Sequence, residues 1–395
     1  MHNIQVVTSS GLCSGCGSCV VACPKNCISM IEEYYNRPTI NEENCSRCKL
    51  CLRVCPSFEY IASSFETQKQ EEPTYLGDIS RCVTCHAANS QIRTKASSGG
   101  FITTLASYML DQNMVDGVIC TQQDIGNPLN NKVVIAKNNQ EVFNATASRY
   151  SPASVCMPLK KILKAQGKYM FVGKPCDING LRKLQAVFPM LKTNILLTVG
   201  LFCHHTPSRA ALCNILNSQG VLPQEVTSIK FRGGGWPGNF EITCGDQVKV
   251  KMTYFDAWNK YFSNIKYIPV RCLLCRDVTA EQANFSVGDP WGKEFREENL
   301  GNSAVIIRNS VAEGIYQKLV DQKQIISRDI TLQDVMRYQH NLLVKKTNSI
   351  LWRKALFIQE KKTIGAISSL ICEKNSLRYK LSVLKKAFLL YRKSW

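Results

Sequence analysis

Eight cysteines near the N-terminus have a type and spacing that suit metal binding. They form two copies of C-x2-C-x2-C-x3-C-P, one from Cys13 to Pro24 and one from Cys45 to Pro56, and a shift of 32 residues superimposes the copies. Such spacing holds iron–sulfur clusters, because three neighbouring thiolates bind one cluster while the fourth, before proline, reaches the other. The duplication predicts two [4Fe-4S] clusters with exchanged fourth ligands: Cys13, Cys16, Cys19 and Cys55 for one, and Cys45, Cys48, Cys51 and Cys23 for the other.

Zinc is the alternative occupant of these thiols, but zinc sites usually come as separated CxxC pairs rather than as three cysteines within seven residues. The spacing therefore favours iron–sulfur. Cys27 lies outside the repeat, since its counterpart is Glu59, and a small buried thiol is expected there. Paired clusters carry single electrons, so we expect a further redox group that exchanges electrons with them.

Four more cysteines stand in contexts that suit a third metal site. Cys176 lies in GKPCDINGL and Cys203 in GLFCHHTPS, each after an apolar run typical of a β-strand. Cys272 and Cys275 form the CxxC pair of RCLLCRD. Strand ends can present side chains to a shared site, and four thiolates are enough for one. From the spacing alone, iron–sulfur and zinc are both admissible there.

The stretch KASSGGFITTLA, residues 95–106, suits phosphate binding. Small residues open an apolar helical pattern, and backbone N–H groups at a glycine-rich helix start can hold a phosphate. Nearby hydroxyls would add donors; they belong to Ser97, Ser98 and Thr103. The alternative is a Ser/Gly helix cap without a ligand.

Two further glycine-containing stretches are FRGGGWPG, residues 231–238, and VGDPWG, residues 287–292. Their glycines would let backbone approach a ligand, and Trp236 or Trp291 could lie against a flat ring. Ordinary turns with packed tryptophans are the alternative.

The remaining cysteines are expected to be structural. Cys82 and Cys85 form a CxxC pair in what resembles a strand, where alternate side chains face opposite ways, so both thiols cannot easily reach one ion. His86 beside them is expected to be a bystander. Packing is also expected for the cysteines without a partner at ligand spacing, which are Cys120, Cys156, Cys213, Cys244 and Cys372.

These residues need at least two folding units to position them. A chain of 395 residues exceeds the usual size of a single core. Its 45% hydrophobic content is ordinary for a soluble protein, and neither a spanning helix nor a signal peptide is indicated, so a cytoplasmic location is expected. Twenty cysteines in a reducing compartment indicate metal ligands or redox groups rather than disulfides.

The predicted fold class is α/β, or α+β overall. A dicluster ferredoxin-like unit spans residues 1–62 and a polar linker spans 63–75. An α/β domain with a mixed sheet spans 76–340, with sub-parts at about 76–157 and 158–340. Apolar β-branched runs alternate there with helical patterns, and the predicted strands are VDGVIC (115–120), KVVIA (132–136), KYMFVG (168–173), NILLTVGLFC (194–203), VTSIKF (226–231) and SAVIIR (303–308).

Residues 341–395 are predicted to form a basic amphipathic helical tail. From residue 345 onward, 13 Lys and Arg face two Glu, so this segment carries +11 of the formal net charge of +19. It could lie on an anionic membrane face, dock an acidic electron carrier, or pack its apolar side on the body. Nucleic acid is the least favoured partner, because no recognised binding motif accompanies the charge.

The order of these motifs resembles the coenzyme F420 hydrogenase/dehydrogenase beta-subunit family over roughly residues 10–300. The resemblance rests on the two-cluster unit followed by SSGGF, SRYSPAS, GKPCDINGL, GLFCHHTPS, FRGGGWPG, CLLCRD and VGDPWG. Arg149 departs from the family, which often has Lys there, and the tail after residue 345 has no counterpart.

The resemblance implies an iron–sulfur flavoprotein oxidoreductase that binds FAD in the 76–340 domain. It implies that FAD is held by Ser97, Ser98, Gly99, Gly100, Thr103, Arg149, Tyr150 and Ser151. It also implies that a third cluster is held by Cys176, Cys203, Cys272 and Cys275. Lys174 and His204 are candidate catalytic residues, one for its charge beside a reduced flavin and the other as a proton donor.

Electrons are expected to pass between the clusters and FAD, and a small organic substrate or coenzyme F420 is reduced or oxidised at the flavin. The expected donor is a ferredoxin or another low-potential carrier. The alternative is a non-catalytic electron-transfer subunit of a larger redox complex.

Overall fold

Runs of β-branched and aromatic residues form the strands of the computed structural model, which describes residues 3–62 and 75–349. The predicted runs between residues 115 and 308 all become strands. In chain order the strands are β1 Ile28–Glu32, β2 Asn36–Ile40, β3 Arg81–Ala87, β4 Gly117–Gln123, β5 Asn131–Ala136, β6 Tyr169–Gly173, β7 Ile195–Leu201, β8 Val226–Lys230, β9 Asn239–Cys244, β10 Gln247–Thr253, β11 Phe285–Gly288, β12 Ser303–Ile307 and β13 Ile325–Ile330.

The central layer is an eight-stranded mixed sheet in the order β13-β3-β12-β11-β7-β6-β4-β5 within the described residues. Its middle strands β4, β6, β7 and β11 run parallel, while the remaining pairs are antiparallel. The middle strands are apolar and mostly buried along their length, as expected when helices cover both faces of a parallel sheet. The predicted α/β class with a partly parallel sheet is confirmed.

The run at 226–231 forms a strand outside this central sheet. It becomes β8 of a separate antiparallel sheet in the order β10-β9-β8. A tight turn at Gly245, which has a φ of 57°, joins β9 to β10. An apolar run shows that a strand forms, whereas the sheet it joins depends on β9 and β10, which the sequence analysis did not identify.

Helices cover both faces of the central sheet. The helices that matter for the site are those after β3, after β6 and between residues 269 and 275. In chain order the helices are α1 Gln5–Ser9, α2 Ser18–Ala22, α3 Leu50–Arg53, α4 Glu59–Ala62, α5 Ser90–Lys95, α6 Phe101–Asp111, α7 Asn139–Asn144, α8 Leu159–Ile162, α9 Pro175–Val187, α10 Met190–Asn194, α11 Arg209–Ser218, α12 Tyr254–Ala257, α13 Val270–Leu273, α14 Ser310–Asp321 and α15 Leu332–Tyr338.

The N-terminal unit is ferredoxin-like, with the β1–β2 hairpin and the short helices α2 and α3 in duplicated positions. It packs directly against the central layer. Val21 and Val54 share a hydrophobic cluster with Phe171 of β6 and Leu181 of α9. The backbone carbonyl of Cys16 also accepts a hydrogen bond from the Cys156 N–H at 2.9 Å. The predicted clusters are therefore held against the sheet.

The C-terminal part of the described chain continues onto the same body. Residues 340–349 are helical. The buried Lys346 pairs with Glu281 at 2.6 Å and also donates to the Tyr75 carbonyl. The predicted amphipathic tail after residue 349 and most of the predicted linker, residues 63–74, lie outside the described residues. Among the helices of residues 3–62 and 75–349, none is long and apolar enough to cross a membrane.

Gly200 offers a test of the packing that positions the site. This residue lies in β7 where a Cβ atom would meet the Ala280 Cβ at 2.1 Å. We expect Gly200→Ala to destabilise the protein by about 1–3 kcal/mol, because the strand and the loop must separate. Thermal unfolding of anaerobically purified protein measures the change.

Gly314→Ala is the matched control. Gly314 lies in α14 with nothing within 4 Å of the added methyl group. The same substitution should stabilise the protein there by about 0.5–1 kcal/mol, since alanine favours helix interiors over glycine. Two shifts of the same sign and size would contradict this account of Gly200.

Candidate functional site

The carboxyl ends of the parallel strands border a cavity of about 300 Å3, which we call the large cavity. It lies where Gly173 ends β6, Leu201 ends β7 and Gly288 ends β11. The start of α6 and residues 145–151 line its other sides. Ligands of open α/β sheets bind in such crevices, and the volume falls within the range of small-molecule sites.

The SSGG stretch forms one wall of the large cavity. Ser97 and Ser98 line it, and Gly100 caps the start of α6 with a φ of 83°. Gly99 lies behind this wall, where a Cβ atom would meet the Asn302 Cα at 2.8 Å. The Ser98 hydroxyl donates to the Asn302 carbonyl at 2.7 Å, so it fixes the loop rather than pointing freely into the cavity.

Thr103 and the 149–151 element complete the predicted set. Thr103 lines the cavity from the first turn of α6. Tyr150 lines it too, with its ring 5.3 Å from that of Trp258. Ser151 also lines it, and its carbonyl accepts from the Asn131 amide at 2.9 Å. Apart from Gly99, every residue predicted for FAD lines this one cavity.

Arg149 lines the large cavity with a guanidinium, a group that can bind an anion. Its guanidinium is buried, and burial lowers its pKa. One amino group donates to the Ser148 carbonyl at 3.3 Å, but Nε has no hydrogen-bond partner among the described residues. An unsatisfied buried guanidinium N–H is costly, so the arrangement suits a bound anionic oxygen.

The four isolated cysteines meet around a second, smaller cavity, which we call the thiol cavity. Cys176 comes from the first turn of α9, Cys203 from the segment after β7, Cys272 from α13, and Cys275 from just beyond α13. The sequence motifs are up to 99 residues apart, and the fold brings them together.

The four cysteines of the thiol cavity supply enough thiolates for one metal site. Zinc binds four thiolates around one ion, and a [4Fe-4S] cluster binds one thiolate at each iron, so both occupants admitted by the spacing use this number of ligands.

Cationic side chains surround the thiol cavity. Arg271 is buried over the Tyr60 ring at 4.0 Å, and its Nη1 has no hydrogen-bond partner among residues 3–62 and 75–349. Burial alone would lower its pKa, but Tyr60 and nearby thiols raise it. Lys345 lines the same cavity and donates to the Cys203 carbonyl at 3.4 Å. Positive charge of this kind stabilises thiolates and an anionic cluster.

Lys174 lines both cavities. It is the N-cap residue of α9, where its ammonium contacts Asp177 at 2.7 Å and its backbone N–H donates to the same carboxylate at 3.0 Å. Burial alone would lower the pKa of Lys174, but the charge of Asp177 and then of Cys176 raise it. The side chain therefore remains a cation at neutral pH, at the boundary between the two cavities.

The ferredoxin-type cysteines fall into the two predicted sets. Cys23 lines one small cavity together with Cys45, Cys48 and Cys51. Cys55 lies near the other set: burial raises its pKa, and the charges of Cys16 and Cys13 raise it further. We call the Cys23 set the distal set and the Cys55 set the proximal set. Cys13 of the proximal set also lines the thiol cavity, so these two sites adjoin.

The structure does not bring His204 to either cavity. Its Nδ1 is 2.8 Å from Nδ1 of His205, whose Nε2 lies 2.8 Å from the Phe262 carbonyl. Burial and the charge of His205 lower the pKa of His204 to about 3, so it is neutral near pH 7. His205, rather than His204, lines the thiol cavity. A proton-donating role for His204 stays a prediction without support from its position.

The glycine–tryptophan motifs form packed structure. Trp236 and Trp291 stack on each other at 5.0 Å, and Trp236 donates to Asp289 at 2.7 Å. Arg232, which is 1% exposed, pairs with the same carboxylate at 2.6 Å. Neither tryptophan lines the large cavity, but Asp289 does. The two motifs therefore build one wall of that cavity through Asp289.

Among the cysteines expected to pack, Cys82 and Cys85 lie in β3 and belong to hydrophobic clusters on opposite faces of the sheet. Cys120 is buried in the core, Cys213 and Cys244 are half-buried, and Cys372 lies outside the described residues. Cys156 is buried but makes a side-chain hydrogen bond to the proximal ligand Cys16.

Sequence reasoning assigned no role to Cys156, Lys345 or Asp289. Cys156 and Asp289 reach the site only through tertiary packing. Lys345 falls in the segment assigned to the tail. No spacing in the sequence pointed to any of them.

Comparison with known proteins identifies the family. Residues 82–160 match the N-terminal region of the coenzyme F420 hydrogenase/dehydrogenase beta subunit, and residues 166–333 match its C-terminal region. Residues 12–58 match the 4Fe-4S dicluster domain. The chain belongs to the coenzyme F420 hydrogenase/dehydrogenase beta-subunit family. Its members include oxidoreductase subunits, and the dicluster match confirms the prediction of [4Fe-4S] clusters in the N-terminal unit.

Individual relatives share low sequence identity with this chain, but the matches cover most of its length. A coenzyme F420 hydrogenase subunit beta from Methanosarcina barkeri is 26% identical over 74% of this chain and 96% of its own length. A coenzyme F420-dependent sulfite reductase from Methanocaldococcus jannaschii is 25% identical over 79% of this chain, but the match spans only 46% of that protein. A chain of the F420-reducing [NiFe] hydrogenase complex from Methanosarcina barkeri has the same fold, with a TM-score of 0.58, 22% identity, and coverage of 75% of this chain and 97% of that one.

Proposed function

We propose that this chain is an iron–sulfur flavoenzyme that passes electrons between three [4Fe-4S] clusters and FAD. The observation that carries the proposal is the position of Lys174, which lines both the large cavity and the thiol cavity. A redox group in one cavity would lie beside a redox group in the other. A small organic substrate or coenzyme F420 would be reduced or oxidised at the flavin.

The residues of the large cavity fit FAD. The start of the 11-residue helix α6 faces the cavity and offers backbone N–H groups to a phosphate. Arg149 supplies a buried N–H group that lacks a partner among the described residues. Apolar side chains such as Val172 and Val287 line the cavity beside these polar groups and suit a flat ring.

The thiol cavity fits a third cluster. Cys176 lies at the N-terminal turn of the 13-residue helix α9, where the helix dipole favours a thiolate. The positive charges of Arg271, Lys345 and Lys174 compensate the negative charge of four thiolates in a buried site. A buried set of thiolates without such cations would be costly.

The order of the sites defines an electron path. Cys48 of the distal set is exposed, whereas Cys16 and Cys19 of the proximal set are buried. Cys13 brings the proximal set to the thiol cavity, and Lys174 brings the thiol cavity to the large cavity. Electrons from a ferredoxin or another low-potential donor would therefore arrive at the distal cluster and leave at the flavin, or travel in reverse.

FAD, when bound, supplies the step between single electrons and a hydride. The residues of this chain would form the surroundings of the bound FAD. Lys174 keeps a positive charge at the cavity boundary, which stabilises negative charge that develops there on reduction. Asp177 holds that ammonium in place at 2.7 Å, and α9 carries both residues with Cys176. A catalytic role is proposed for Lys174 on this basis.

Substitution of Arg149 tests the flavin site. Arg149→Gln removes the guanidinium that faces an anion, and loss of a charged hydrogen bond costs about 1.5–3 kcal/mol. We expect about 10- to 100-fold weaker FAD binding, measured by fluorescence titration of the flavin-stripped chain. Arg149→Lys keeps the charge and should bind more tightly than the Gln variant.

Lys192→Gln is the matched control for charge. Lys192 is exposed on α10 and does not line the large cavity. Its substitution should leave FAD affinity unchanged. Equal losses for Arg149→Gln and Lys192→Gln would indicate a general effect of charge, and absence of FAD from the native protein would refute the flavin proposal.

Substitution of Cys203 tests the third cluster. We expect Cys203→Ala to lose about four iron atoms per chain from a native content of about twelve, while the dicluster unit keeps its own. Iron and sulfide analysis after anaerobic purification measures this loss. Cys213→Ala, a half-buried thiol on α11, is the control and should keep the native content. A native content of about eight iron atoms per chain would mean that only the dicluster unit holds clusters, and it would refute the third cluster.

The alternative is a non-catalytic electron-transfer subunit of a larger complex. Similarity to a protein named subunit beta of a hydrogenase, and to a chain of a hydrogenase complex, favours this candidate. Purification of the native protein distinguishes the two. Turnover of a small substrate or coenzyme F420 by the isolated chain supports the enzyme. A stable partner subunit together with inactivity of the isolated chain supports the alternative.

Docking of an acidic carrier or an anionic membrane through the basic tail remains a proposal that rests on charge alone. Residues 350–395 lie outside the described residues, so it has no structural support. A cytoplasmic location is proposed separately, because twenty cysteines that serve as metal ligands or redox groups suit a reducing compartment.

A further inference from the structure

A fifth cysteine lies in the cavity of the distal set. Cys27 lines this cavity together with the four predicted ligands Cys23, Cys45, Cys48 and Cys51. The Sγ atoms of Cys27 and Cys23 are 3.3 Å apart. A cubane takes four protein thiolates, so the cavity of the distal set has one thiol more than a cluster requires.

The backbone directs Cys27 toward Cys23. The N–H of Asn26 donates to the Cys23 carbonyl, and Asn26 has a φ of 52°, which turns the chain back on itself. The Cys27 carbonyl then accepts from the Asn41 N–H at 2.8 Å. The thiol is therefore held in place by the start of the β1–β2 hairpin.

The duplicated proximal unit provides an internal comparison. The N–H of Phe58 donates to the Cys55 carbonyl, as that of Asn26 does to Cys23. The residue that corresponds to Cys27 is Glu59, which is exposed and pairs with Lys183 at 3.5 Å. The same backbone hydrogen bond thus precedes a thiol in the distal unit and a surface carboxylate in the proximal unit.

The spare thiol of Cys27 lies beside the distal set, which is more exposed to solvent than the proximal set. Cys48 is exposed and Cys45 is half-buried in the distal set, whereas Cys16, Cys19 and Cys55 of the proximal set are buried. Solvent, chelators and oxidants therefore reach the distal iron first. A spare ligand would therefore protect the distal cluster more than the proximal one.

We propose that Cys27 is a reserve ligand of the distal [4Fe-4S] cluster and replaces Cys23 at the same iron. In this exchange the Cys27 thiol loses its proton and its sulfur binds the iron. The Cys23 thiolate leaves that iron and takes up a proton. Neither iron nor sulfur changes oxidation state. The proposal rests on the cluster assignment of the N-terminal unit and not on the flavin.

Four variants test the exchange by iron and sulfide analysis and by electron paramagnetic resonance of the reduced protein. Cys55→Ala, in the unit that has Glu59 at the position of Cys27, should lose about one to four iron atoms from the proximal cluster. Cys23→Ala should keep the native content, because Cys27 takes the vacant position. Cys27→Ala alone should also keep it. The double variant C23A/C27A should lose iron as Cys55→Ala does.

Iron loss in Cys23→Ala equal to that in Cys55→Ala would overturn the proposal, and so would equal iron content in Cys23→Ala and the double variant. A second measurement avoids variants of Cys23. Under a chelator in air, Cys27→Ala should lose the distal cluster several-fold faster than the native chain, while the proximal signal decays at the native rate. Equal rates for the distal cluster would overturn the proposal. A native protein without iron would overturn the cluster assignment as well.

Discussion

The ion pair between Lys174 and Asp177 is the interaction on which the site depends. Asp177 is completely buried and holds the Lys174 ammonium at 2.7 Å and its backbone N–H at 3.0 Å. The same carboxylate therefore fixes the start of α9 and the charge at the boundary of the two cavities. Because Cys176 lies between them in the chain, the thiol and the ammonium cannot move independently.

Three cationic side chains line the thiol cavity, where the proposed third cluster would bring negative charge. Each thiolate removed from water requires compensation, and the site supplies it from separate segments: Lys174 from α9, Arg271 from α13 and Lys345 from the helical residues 340–349. Lys345 shows that the helical residues 340–349 lie beside the thiol cavity. The predicted domain boundary at residue 340 stays a prediction.

The sequence predicted features that depend on neighbouring residues better than features that depend on residues far apart in the chain. The repeated cysteine spacing predicted two sets with exchanged ligands, and alternation predicted opposite faces for Cys82 and Cys85, because both depend on residues close in the chain. A shared site for Cys176, Cys203 and the Cys272–Cys275 pair was predicted from strand ends and CxxC spacing, but the choice of iron–sulfur over zinc there came only from the family resemblance. The positions of Lys345 and Asp289 at the two cavities and the contact between Cys27 and Cys23 were missed, since each depends on a neighbour that the sequence does not indicate.

The packing of the ferredoxin-like unit on the central layer has a mechanical consequence. Val21 and Val54 share one hydrophobic cluster with Phe171 and Leu181, and Cys16 bonds to the backbone of Cys156. Separate movement of the unit would expose that cluster to water. The ferredoxin-like unit is therefore held in one position on the central layer. In the proposed electron path, the distances between redox groups would be set by the fold, and the rate of transfer between them would not depend on solvent viscosity.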